Sequence, residues 1–354
     1  MSSSLNAQEK EPSNYNYNDA FGHDFYSKNG TATRSASGKP GHAYWQNSAD
    51  YTIDVNLNET TKEISGSETI TYTNNSPDAL DFLWMQLDQN IRKKDAPAIE
   101  KNGSSTAPIM TPSSFVRSYV DAPFDGGFQI ESVVDANGSA LPYKINETMM
   151  RVDLSQPILP GGQFVFRVKW SYNINNHVKN RARSGYEFFP KDGNKAYVIA
   201  QFFPRMCVYN DVEGWQNKQF LGRGEFALPF GDYEVNITVP SDHIVGSTGE
   251  LQNASSVLSA EQRNRFKQAS TSDTPILIVT QAEAEAAEKK KEKALKTWTF
   301  KATNVRDFAF ASSRKFIWDA QNVKVGGKNI MAMSYYPKEG NPLWERYSTK
   351  LVAH

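Results

Sequence analysis

One cysteine, Cys207, is all the chain has. It can form no internal disulfide, and with no base beside it in sequence it reads as a small core residue. Long apolar runs are also missing: nothing approaches the roughly 18 consecutive apolar residues of a membrane-spanning helix. Neither sign of charge is in excess, since Lys+Arg and Asp+Glu both number 39. A balanced chain offers no electrostatic case for nucleic acid or an anionic membrane surface as partner. The five histidines, His23, His42, His177, His243 and His354, are scattered, and none opens an H-E-x-x-H. With no G-x-S-x-G and no Walker loop either, serine-nucleophile and P-loop chemistry lack their motifs.

What is there suffices for a sizeable core. The 354 residues are 39% hydrophobic and 12% aromatic, which fits one large domain plus part of another. Residues 1–42 are polar and rich in Ser, Asn and Gly, too poor in apolar surface to offset their ordering entropy, so a disordered or draped tail is expected. The opening MSSSLNAQEK has no apolar signal-peptide core. Its NAQEK resembles the start of a mature exported protein, so a secreted or periplasmic setting is expected. Asn-X-Ser/Thr sequons recur at Asn58, Asn102, Asn137, Asn146, Asn236 and Asn253.

Alternation carries the secondary structure. Tyr51, Ile53, Val55 and Leu57 alternate with polar residues, as do Phe164, Phe166, Val168, Trp170 and Tyr172, and again Tyr233, Val235, Ile237 and Val239. Each is a half-buried strand. Leu80–Leu87 is apolar on both faces, a central strand covered on two sides. Further strands are expected over Phe128–Val134, over Tyr143–Leu154 around an Asn146-Glu147 turn, at Tyr197–Phe203, near Val245, at Trp298–Ala302 and at Ile330–Tyr336. Pro229-Phe230-Gly231-Asp232 reads as a turn, and antiparallel pairing is the expectation around it. The Pro-punctuated stretch from Ile91 to Asp125 reads as a long loop. Residues 281–296, acidic first and basic last, predict a helix. Asn341-Pro342 predicts another, with Leu343, Trp344, Tyr347 and Leu351 near one face.

Several blocks, QFFPR, GRGEF, FGDYEVNITVP and IVGSTGEL within Tyr197–Leu251, GSETITYTN with LWMQL before them, and NVRDF at Asn304–Phe308, stand in a telling order. Together they resemble the N-terminal domain of the zinc aminopeptidases related to aminopeptidase N and leukotriene hydrolase. The likeness spans most of residues 44–354, in blocks separated by unlike loops. It implies a mostly β fold: a large antiparallel, saddle-like β-sheet or sandwich over residues 43–312, with 281–296 as a helical insertion. Residues 313–354 would begin a truncated α/β zinc-peptidase domain with its first strand and helix.

That family's chemistry needs two His four apart on a helix, a Glu between them as general base, and a second Glu one helix later as the remaining zinc ligand. None of this is in the sequence, nor is the family's Gly-Ala-Met-Glu-Asn-like strand. No cofactor is therefore expected in this chain, with zinc expected only in a full-length protein. The expected partners are a peptide substrate and the chain's own catalytic domain. By the resemblance, Gln201 lines the first substrate pocket. A polar or acidic residue two positions on would hold the amino terminus, but here it is Phe203, which makes that wall apolar. Asp211 and Glu213 flank Gly214-Trp215 in surface or loop-fixing roles, with Arg205 a candidate partner for either. The alternative is a non-catalytic β-sandwich that binds carbohydrate or protein through aromatics such as Trp45, Trp84 or Trp215.

Overall fold

The computed structural model describes residues 30–96, 109, 111–116, 124–180, 182–222 and 226–354. Residues 1–29 of the expected tail, Pro97, Pro108 and Pro123 of the expected loop, the sequon at Asn102 and residues 223–225 of the GRGEF block lie outside them. The protein is mostly β, built from several sheets that share one hydrophobic core.

Strands are numbered in chain order. The largest sheet has seven, in the order β15 (Glu250–Leu251), β17 (Leu295–Val305), β13 (Gly231–Pro240), β1 (Ser48–Asn58), β2 (Glu63–Thr73), β7 (Gln163–Asn173) and β4 (Gln129–Asp135). The alternating residues anticipated from the sequence point inward: Tyr51, Ile53, Val55 and Leu57 from β1, Phe166, Val168 and Trp170 from β7, and Val235, Ile237 and Val239 from β13 are all buried. A second sheet runs β10 (Arg205–Met206), β3 (Leu80–Gln86), β6 (Met149–Ile158), β5 (Tyr143–Asn146), and a third runs β14 (Ile244–Ser247), β18 (Phe310–Ser313), β9 (Asn194–Ile199), β8 (Gly185–Phe189). Strand β3, held between β10 and β6, buries Leu80, Leu83 and Met85 but leaves Phe82 and Trp84 half-buried, so it is fully covered on one face only. A short ribbon joins β11 (Tyr209–Asn210) to β12 (Gly214–Trp215).

Two expectations around β13 are corrected. The sheet is not wholly antiparallel: β1 and β13 pair in parallel, with Tyr51 beside Tyr233 and Val55 beside Ile237. Gly231 opens β13 rather than sitting in a free turn, and a Cβ there would stand 1.8 Å from the Ala49 carbonyl oxygen. The glycine serves close backbone approach, and no positive φ is involved.

The last sheet orders β16 (Ile276–Val279), β19 (Phe316–Val325) and β20 (Lys328–Pro337), so residues on both sides of position 312 share it. Helix α1 (Ala260–Ala269) opens with a capping box of Ser259 and Gln262, and α2 (Gln281–Lys290) with one of Thr280 and Glu283. Each box satisfies amide donors that the first turn would otherwise leave bare. The expected helix over 281–296 thus stops at Lys290, where Lys291 turns left-handed, and β17 begins at Leu295. Helix α3 (Tyr347–Ala353) starts later than the Asn341-Pro342 pair suggested. Buried Asp319 fixes it, accepting from the Arg346 amide at 3.1 Å, the Tyr336 hydroxyl at 2.7 Å and the Thr349 hydroxyl. Leu343, Trp344, Tyr347 and Leu351 all remain exposed.

Candidate functional site

Three of the blocks singled out in the sequence meet in one polar network. The LWMQL strand β3 runs directly into Asp88, whose side chain is wholly buried. QFFPR supplies Gln201 and Arg205, and NVRDF supplies Asp307. Arg205 donates to Asp88 from Nε at 3.1 Å, pairs with it through Nη2 at 2.8 Å, and donates to Asp307 from Nη1 at 2.7 Å. It pairs with neither Asp211 nor Glu213, which corrects the expected partnership. Asp211 instead takes both branches of a fork from Arg34 at 2.8 Å, and exposed Glu213 meets Lys218 at 3.3 Å. Burial pushes the Asp88 carboxyl up from its ordinary pKa, while Arg205 pulls it back. Leaving either ion unpaired here would strand a buried charge.

Gln201 lies at the edge of this network. Strand β9 ends at Ile199, so the expected strand Tyr197–Phe203 is cut short, and Gln201 sits left-handed at φ 54°. A side-chain-bearing residue takes that conformation at a cost, when its surroundings hold it there. They do: Gln89 Nε2 donates to the Gln201 carbonyl at 2.8 Å, and Gln201 Nε2 donates to Asp88 Oδ1 at 3.4 Å. Among the described residues nothing donates to Gln201 Oε1, so the amide retains an open acceptor on a half-buried side chain.

Phe203 does not share that face. Without strand alternation after Ile199, Phe202 and Phe203 both turn inward and are fully buried. Phe203 packs edge-on against Tyr51 at 5.3 Å and Tyr233 at 6.0 Å, bracing the parallel β1–β13 pair. It is a core ring in this chain rather than an exposed wall. Asp88 was not anticipated as a member of the site. The only signal was an acid placed directly after an apolar strand.

Among the described residues no group of side chains fits a zinc ion. His243 is buried, with Nδ1 at 2.9 Å from the Ser312 hydroxyl, and burial together with the nearby Arg314 lowers its pKa to about 3. His177 faces Glu187 at 3.5 Å. Among the described residues the one group of three potential ligands is Asp192, Glu288 and Glu339, with no histidine. The Lys315 ammonium sits among them, 2.8 Å from Glu288 and 3.0 Å from Glu339. The described residues are therefore expected to hold no stoichiometric zinc. Elemental analysis that finds one tightly held zinc per chain would overturn this.

The remaining candidates divide between core and surface. Cys207 is buried and burial raises its thiol pKa well above the usual value, so it is not a nucleophile. Trp215 packs edge-on against Tyr209 at 5.2 Å, and Trp84 lies half-buried on β3. Trp45 stacks on Tyr209 at 5.7 Å beside a cleft.

No family profile matches the chain, and no curated protein matches it. Solved structures do. The chain is similar to an M1 zinc metallopeptidase from Deinococcus radiodurans, a mutant bound to a Tyr-Ser-Ala substrate, at 12% identity and a TM-score of 0.46, covering 87% of this chain and 52% of that one. It is similar to a two-domain M1 zinc metallopeptidase mutant bound to L-tryptophan, at 12% identity and a TM-score of 0.45, over 88% and 54% of the two chains. A third, an M1 zinc metallopeptidase from Deinococcus radiodurans, has 12% identity and a TM-score of 0.42, over 84% and 49%. The chain spans about half the length of these structures.

Proposed function

We propose that this chain is the substrate-side β domain of a zinc aminopeptidase and binds the amino end of a peptide while another domain supplies the metal. The observation that carries the reading is the network of Asp88, Gln201, Arg205 and Asp307. Three sequence blocks that resemble the aminopeptidase family, far apart in the chain, converge on it. It holds Gln201 in a costly backbone conformation and leaves Oε1 open, which is the acceptor that a substrate ammonium requires. The exposed side chains Leu343, Trp344, Tyr347 and Leu351 form the surface that the zinc-bearing domain would cover.

In a zinc-bearing protein that contains this chain, Gln201→Ala is expected to lower kcat/KM for an aminoacyl substrate by about 1–3 kcal/mol, the cost of one hydrogen bond to a charged group. Substrates with a blocked amino terminus should not feel the change. If Gln201→Ala leaves the kinetics intact and lowers the melting temperature, the residue is structural and the reading fails.

A further inference from the structure

A cleft of about 370 Å³ opens between the segment around Trp45, the β11 strand and Phe230, with Arg306 on its lining. That volume falls at the small end of the range for small-molecule sites, roughly 300–1,000 Å³. Tyr44, Trp45, Tyr209 and Phe230 give its walls an aromatic share. Trp45 stacks on Tyr209 with an interplanar angle of 23°, and the Tyr209 hydroxyl is tied to Asp78 at 2.7 Å. Phe230 leaves 44% of its surface exposed, although its backbone oxygen is committed to the Ala49 amide.

Most polar groups of the cleft are already committed. Arg34 spends its guanidinium on both oxygens of Asp211 and lies over the Tyr44 ring at 5.4 Å. Asn47 donates to the Tyr72 hydroxyl at 2.9 Å and accepts from the Asn75 amide at 2.7 Å. Among the described residues the Asn210 amide N–H groups find no acceptor, its oxygen being taken by the Val212 and Glu213 amides, and two further donors are open. Arg306 is exposed and finds no acceptor among the described residues, since its neighbour Asp307 is turned to Arg205. The Trp45 indole N–H likewise has no acceptor among them. A largely apolar cleft with one unpaired cation and a few spare N–H donors complements a flat apolar body that carries a single negative charge. A dianion such as phosphate is matched less well, because only one cation is free.

We propose that this cleft binds a small aromatic carboxylate, its ring against Trp45 and Phe230 and its carboxylate on Arg306. The proposal does not depend on the aminopeptidase reading, because none of these residues belongs to the Gln201 network.

Calorimetric titration of the full chain with indole-3-propionate and with its uncharged amide tests it. One saturable site per chain is expected for the acid. Because Arg306 is open to water, the amide should bind only about fivefold more weakly, within the range of a surface ion pair. The gap should narrow as salt is raised. Arg306→Gln, on an exposed side chain, should leave the melting temperature unchanged and bring acid and amide to the same affinity. Trp45→Ala should abolish binding of both. Phe230→Leu, which preserves an apolar wall, should weaken both together. Equal affinities for acid and amide on the unmodified chain, an acid affinity untouched by Arg306→Gln, or no saturable binding would each overturn the proposal.

Discussion

Lys315→Met is expected to destabilise the protein by about 3 kcal/mol, the scale on which removing one partner of a buried ion cluster acts. The Lys315 side chain is wholly buried between β18 and β19, and its ammonium contacts Asp192 from the β8–β9 turn, Glu288 from α2 and Glu339 just after β20. The Phe189 ring covers the cation at 4.6 Å. Burial opposes the charge, but the hydrogen bonds that Lys315 donates to Asp192, Glu288 and Glu339 raise the lysine pKa above its ordinary value. Four chain segments are therefore held by one charge, and among the described residues methionine would leave their carboxylates facing one another with Lys338 on Glu288 and the Asn194 amide on Asp192 to offset them. Asp192 and Glu339 are partly open to water, at 21% and 38%, which keeps the loss below the upper end of that scale. Although burial opposes it, the bond to Lys315 holds the Asp192 carboxyl below its ordinary pKa, so the variant's deficit should shrink as pH falls and that group takes up a proton. Glu339→Gln, at the most exposed partner, should cost less than about 1 kcal/mol. Urea unfolding at neutral and mildly acidic pH measures all three quantities. A Lys315→Met loss no larger than that of Glu339→Gln would show that the cluster is not what joins these segments.

The sheet strands were legible wherever one face is buried and the other wet. β1, β7 and β13 alternate strictly, and the buried residues are the ones the alternation selects. Pairing was much less legible. Nothing local in β1 or β13 says that they run parallel, because the contact joins segments about 180 residues apart, as in Asp54 beside Asn236. The only trace is Gly231, where the backbones close too tightly for a Cβ. Helix α1 gives little sign in the sequence because it is mostly polar, with Phe266 its one large apolar residue, although Ser259 and Gln262 stand at capping-box spacing. The charges that mark α2 continue past Lys290, where the helix does not.

The site was half legible for a related reason. Gln201 could be picked out through the QFFPR block, but an apolar run such as YVIAQFF promises a strand to its end. The left-handed turn at Gln201 breaks the period, which sends Phe203 inward instead of alongside Gln201. Asp88, Gln89 and Asn90 are polar side chains that are nearly all out of water. Their burial follows from long-range partners, Arg205 and the backbone around Gln201 among them, and no spacing rule in the chain announces it.

Glu68→Leu is expected to stabilise the protein at neutral pH, by an amount that grows as the pH rises. Glu68 occupies an inward position on β2, two residues from Gly66 and from Ile70, with Ile53 and Val168 as its cross-strand neighbours. It is 1% exposed, and neither carboxylate oxygen has a hydrogen-bond partner. Burial raises its pKa well above the ordinary glutamate value. The folded protein therefore retains a proton that the unfolded chain releases above about pH 4.3. Between that point and the folded-state pKa, the native state binds the extra proton, so stability falls as pH rises, by at most about 1.4 kcal/mol per pH unit for one group. Below the unfolded pKa both states are protonated and this contribution vanishes. Leucine, close in size and without an ionisable group, removes the slope along with two unsatisfied buried oxygens. Urea midpoints of the two proteins should differ least near pH 4 and separate progressively toward pH 8. Midpoints that stay a constant distance apart across this range would mean that Glu68 is ionised in the fold and has found a partner there.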